Sequence, residues 1–114
     1  MTNNKKVTIV INRNGMGQAD EQLTSVLIKN YLTLLLEEDL PAYICLYAEG
    51  VKLSVEGSGV IEELKALEDK GVKILICKTC LNYYNALDKV KAGTIATMVD
   101  IMGAQTNCEK VIVL

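Results

Sequence analysis

The chain has 114 residues, half of them apolar, and a net charge of −2. That fits a single domain with enough apolar residues to build its core without disulfides. With no basic block, no Trp or Phe, and five Tyr that form no stacking array, nucleic-acid binding is not expected.

The first strand is predicted over 5–11, KKVTIVI, a short β-branched run. Its apolar part is shorter than the ~7–15 residues at the centre of a signal peptide. No stretch reaches the roughly 18–20 apolar residues that cross a bilayer. A cytoplasmic protein without membrane contact is therefore expected, and its four cysteines are expected as thiols. A polar loop follows over 12–20, NRNGMGQAD. From Asp20, a predicted N-cap, Leu23, Val26, Leu27, Tyr31, Leu34 and Leu35 recur at helical spacing to about Glu38. Pro41 breaks the chain before a second strand over 42–48.

EGVKLSVEGSG (49–59) reads as a loop, with Ser58 placed to cap a second helix. Val60, Ile61, Leu64 and Leu67 form that helix's apolar stripe, and Gly71 suits a left-handed C-terminal cap. VKILI (72–76) is the third strand, followed by a short helix over 81–90. A fourth strand is expected within 92–98. Thr97 and Asp100 have the capping-box spacing for a helix over 98–107, and KVIVL (110–114) is the last strand. Strands alternate with helices and are apolar throughout. The predicted fold is a three-layer α/β/α sandwich on a five-stranded, mainly parallel sheet, one domain over 1–114.

In such a sheet the loops at the carboxyl ends of the strands share one edge, where ligands bind. Loops 12–20, 49–58 and 77–80 gather there. Cys77 and Cys80 sit between strand and helix, where free N–H groups and the helix start favour thiolate. A helix end worth ~0.5–1.4 kcal/mol lowers a thiol pKa by ~0.4–1 unit. Lys78 and Thr79 lie between the cysteines, and Lys52 is the cation of the middle loop. The N–H groups around Gly15, Met16 and Gly17 are expected to face an anionic sulfur group.

Other chemistries fit less well. Without histidine, Cys/His zinc sites and imidazole catalysis are excluded, and one Cys-x-x-Cys supplies only two of the four ligands of a structural zinc. No metal is expected. Thioredoxin-like proteins carry a cis-proline after their cysteines, whereas the sole proline, Pro41, precedes them here. Gly15 and Gly17 echo a dinucleotide fingerprint, but Asp20 stands where a third glycine belongs, so no cofactor is expected. Core packing is the alternative without chemistry, and the expected role of Cys45 and Cys108.

GMGQADEQL, EGVKLSVEGS, GVKILICKTCLNYY and GTIATMVDIM, in this order along nearly the whole chain, resemble the DsrE/DsrF-like family, and within it the C-terminal domain of YedF-type selenium-metabolism proteins. The resemblance implies cytoplasmic handling of sulfur or selenium, frequent homo-oligomers, and a persulfide on Cys80 or Cys77 relayed between a sulfur donor and an acceptor protein. Lys78 stands where such relatives often have glycine. The Cys-Pro-x-Pro domain that precedes YedF-type chains has no counterpart, so the donor is expected to be a separate protein. Two other functions stay open: a non-catalytic ligand-binding or assembly module, and a dithiol redox switch.

Overall fold

In a computed structural model, residues 3–38 and 40–114 are described, with side chains from Val7 onward.

The elements are β1 (Asn3–Ile11), α1 (Glu21–Leu35), β2 (Leu40–Leu46), a 3₁₀ segment (Ala48–Ser54), α2 (Ile61–Asp69), β3 (Lys73–Cys77), α3 (Lys78–Tyr83), β4 (Thr94–Ala96), α4 (Met98–Thr106) and β5 (Lys110–Val113). The five strands run parallel in the order β4-β3-β2-β1-β5. The first three crossovers step one way along the sheet and the last steps back past β1. With right-handed crossovers this puts α1, α2 and α3 on one face and α4 on the other.

The register agrees. Ile9, Ile44 and Ile74 align across three strands, as do Val10, Cys45 and Leu75 one position on, so the two rows face opposite sides. Thr8 shares the second side and donates from Oγ1 to the Ala104 carbonyl of α4 at 2.8 Å. With both faces covered, the strands are near-continuous apolar runs, and Ile9, Val10, Ile11, Ile44, Leu46, Ile74 and Ile76 are all buried. This is the predicted fold.

Several local expectations are corrected. Pro41 does not precede β2 but lies in it, opposite Asn4 and just before a register shift, at the start of the strand where a missing N–H is tolerated. Loop 49–58 contains the 3₁₀ segment. Helix α3 starts at Lys78, directly after Cys77, and closes at Asn85 with φ +55°. Ser58 acts two residues ahead of α2, its Oγ accepting from the Val60 N–H at 3.2 Å.

The predicted stripe of α1 points largely outward. Thr24, Ile28 and Leu32 are buried, whereas Leu23, Val26, Leu27 and Leu34 are exposed. The helix is apolar on two faces, and periodicity alone does not say which one meets the sheet. The two caps do follow the sequence: Asp20 accepts from the Gln22 N–H, and Thr97 with Asp100 forms the full capping box.

Gly50 fixes the 3₁₀ segment against the end of β1. A Cβ on it would overlap the Ile11 carbonyl oxygen, a backbone atom that cannot swing aside. Gly50→Ala should cost about 2 kcal/mol or more, seen as a fall of roughly 8 °C or more in Tm by calorimetry. An unchanged Tm would show that the segment is not clamped there.

Candidate functional site

The carboxyl edge of the sheet is built from the ends of β1, β2 and β3. At the end of β2, Tyr47 donates its N–H to the Ile11 carbonyl at 3.3 Å, continuing the ladder by one step. Ala48 then turns out of the strand with φ +52°, a conformation that costs an alanine energy and needs its surroundings to hold it. Its N–H thereby leaves the sheet and donates to Cys80 Sγ at 3.1 Å.

Cys80 stands one turn into α3, and Cys77 is the N-cap of that helix. Cys77 is buried and Cys80 half-buried. The two thiols lie close together, near enough for each to influence the other's ionisation. The pKa of Cys80 is raised from 9.0, above all by burial and also by neighbouring Cys77, against the lowering effect of the Ala48 N–H. The expected depression of Cys80 is therefore reversed, because desolvation outweighs the available donor. Cys77 does not face solvent: it is drawn into the core as the last residue of β3. Cys45 is fully buried and its pKa is pushed up to about 11, first by desolvation and then by nearby Cys108. Cys108 Sγ lies 2.8 Å from Thr8 Oγ1, within hydrogen-bond distance of the hydroxyl oxygen. Cys45 is a core residue, as expected, whereas Cys108 is half-buried at the edge of the core.

The remaining predicted site residues divide. Gly15 is buried with φ +145° against Thr24, and Met16 packs on the core. The Met16 N–H donates to the Thr24 carbonyl at 3.1 Å, so it is not free for a sulfur anion. The donor that reaches a thiol comes from Ala48 instead. Lys52 is half-exposed, its Nζ 4.5 Å above the Tyr84 ring and 3.7 Å from Glu49. Lys78 and Thr79 are exposed on the first turn of α3. Gly17 lines an open cleft of about 290 Å³ together with Arg13, Asn14, Gln18, Glu21 and Glu49. Neither Cys77 nor Cys80 lines it. The Ala48–Glu49 step joins the two, since Ala48 touches Cys80 and Glu49 borders the cleft.

Sequence reasoning missed Ala48, Glu49 and Arg13. Nothing in an alanine signals a left-handed turn. Arg13 did carry a signal, as the only arginine of the chain and one placed just after β1.

The profile of the DsrE/DsrF-like family matches residues 1–114. The chain belongs to the DsrE/DsrF-like family. Its DsrE-like fold is shared with YchN from E. coli, at 21% identity and a TM-score of 0.71 over 96% of this chain and 99% of that one. MTH1491, a protein of unknown function from Methanobacterium thermoautotrophicum, is 20% identical with a TM-score of 0.68 over 97% and 100% of the two chains. BT1422 from Bacteroides thetaiotaomicron is 16% identical with a TM-score of 0.64 over 96% and 95%. At these identities the likeness is one of fold. A search of curated proteins finds no match. No helix among the described residues of this DsrE-like chain is long and apolar enough to cross a membrane.

The burial difference fixes an order of thiol reactivity. With limiting iodoacetamide, Cys80 should be alkylated before Cys77 and Cys45 in the folded protein. Because the Cys80 pKa is raised, its alkylation rate should keep climbing as pH passes 9 rather than level off below it. A plateau by pH 8, or Cys77 reacting first, would contradict this geometry.

Proposed function

We propose that the protein is a small sulfur carrier in which Cys80 holds a sulfur atom as a persulfide and passes it on. The observation that carries this reading is the half-buried Cys80 thiol, held by the Ala48 N–H with a second thiol close by. The family, generally linked to sulfur relay, supports it. Loading exchanges sulfur without net oxidation. Cys80 Sγ attacks the outer sulfur of a donor persulfide, the donor S–S bond breaks, and the donor thiolate leaves with the electron pair and takes the thiol proton. Delivery is the same exchange with an acceptor thiol. The outer sulfur of a persulfide is a stronger acid than a thiol. The loaded site therefore carries the negative charge that burial denies to free Cys80, with an N–H donor beside it.

The finer points of the reading follow the cysteine segment. KTCLNYY resembles YedF-type sequences, so selenium would travel the same route, between donor and acceptor proteins in the cytoplasm. Self-assembly is supported by two exposed apolar patches, Leu23, Val26, Leu27 and Leu34 on α1, and Met98, Val99 and Met102 on α4. The closeness of the two thiols favours a second reading, a dithiol switch in which a peroxide or disulfide oxidant closes a Cys77–Cys80 bond.

Incubation with inorganic polysulfide followed by intact-mass measurement separates the two. A carrier gains about 32 Da, one sulfur atom, and loses that gain in Cys80→Ser while keeping it in Cys77→Ser. A gain that persists in Cys80→Ser would remove Cys80 from the role. A loss of about 2 Da without any sulfur adduct would favour the switch.

A further inference from the structure

Arg13, the only arginine of the chain, is exposed in the cleft after β1, and its guanidinium has no ion-pair partner among the described residues. Two adjoining cavities, of about 290 and 310 Å³, share Arg13, Asn14, Gln18 and Glu49 as walls. Asn12 borders the second and Glu21 the first. The combination is specific: one free guanidinium, three side-chain amides and two carboxylates.

We propose that this cleft is a subsite for a small zwitterionic persulfide, of the amino-acid or short-peptide kind, whose carboxylate pairs with Arg13, whose ammonium group faces Glu49, and whose outer sulfur is delivered to Cys80. The inference rests on the carrier reading and makes its donor a small molecule in place of a donor protein.

Each part of the ligand answers to a part of the cleft. A guanidinium offers paired N–H donors matched to a carboxylate, and the amides add hydrogen bonds around it. Glu21 and Glu49 disfavour a ligand that is only anionic and favour one that also carries a positive group. The Glu49–Lys52 pair at 3.7 Å is exposed and weak, and Lys52 also lies over Tyr84, so Glu49 keeps its charge available to a ligand. A volume near 300 Å³, at the lower end of ligand pockets, suits a molecule of amino-acid to tripeptide size. The neighbouring residue, Ala48, donates to Cys80 Sγ, so the residue that holds the thiol and the cleft-wall residue Glu49 are adjacent in the chain. The transfer balances as R–S–SH + Cys80–SH → R–SH + Cys80–S–SH. The S–Sγ bond forms, the RS–S bond breaks, and the leaving thiolate takes the proton of Cys80.

Initial rates of sulfur loading on Cys80, read by mass spectrometry, test this with cysteine persulfide, glutathione persulfide and inorganic hydrodisulfide. The protein should prefer one of the two organic donors over the inorganic one, and the faster of them identifies the source. Arg13→Ala should lower that preference roughly ten- to hundredfold, with part restored in Arg13→Lys. N-acetylcysteine persulfide, which lacks the ammonium group, should load more slowly than cysteine persulfide, and Glu49→Gln should narrow the gap. No preference for an organic donor, or a preference unchanged in Arg13→Ala, would overturn the assignment.

A second readout does not depend on transfer. In Cys80→Ser, S-methyl-L-cysteine should shift the NMR signals of Asn14 and Gln18, and Arg13→Ala should abolish the shifts. These shifts in a protein that takes no sulfur from any donor would leave the subsite standing and remove the carrier reading. Loading without preference and without shifts would do the reverse.

Discussion

One hydrogen bond organises the candidate site of this molecule, from the Ala48 N–H to Cys80 Sγ at 3.1 Å. It joins the loop after β2 to the helix after β3. It depends on a backbone conformation that alanine rarely adopts, and that conformation persists because its neighbours are fixed. Tyr47 is tied to the end of β1, and Gly50 lies so close to the Ile11 carbonyl that only a residue without Cβ fits. The sheet therefore acts on the thiol through three strand ends at once. Against this donor stands desolvation, which wins and favours the neutral form of Cys80.

Burial sets the two cysteines of the pair apart. Cys77 ends β3 and is sealed beneath the helix it caps, while Cys80, one turn on, keeps part of its surface in solvent. The same edge offers a polar cleft on the far side of Ala48. Two chemically different environments thus meet at one residue pair, Ala48–Glu49: a largely buried thiol pair, and an open polar cleft lined by Arg13 and two carboxylates.

Architecture was legible in the sequence because it rests on period and punctuation. Apolar strand runs, the capping box at Thr97 and Asp100, and the left-handed Gly71 each have a local physical cause that survives in the folded chain. The placement of Cys77 and Cys80 at a strand-to-helix junction was legible for the same reason. What surrounds them was not. Burial of Cys77, capture of the Met16 N–H by Thr24 and the turn at Ala48 come from contacts between distant segments, which no local pattern encodes. Helix α1 shows the limit within a single element. Its apolar residues cover two faces, and the one that packs uses Ile28 and Leu32 rather than the regular stripe through Leu23, Val26, Leu27 and Leu34.

The amide of Ala48 is the direct reporter of this arrangement. Followed by NMR across a pH titration, its resonance should move with a midpoint above 9, in step with ionisation of Cys80, and the movement should vanish in Cys80→Ala. An Ala48 amide that ignores pH, or that titrates unchanged without the Cys80 thiol, would contradict the hydrogen bond on which the site depends.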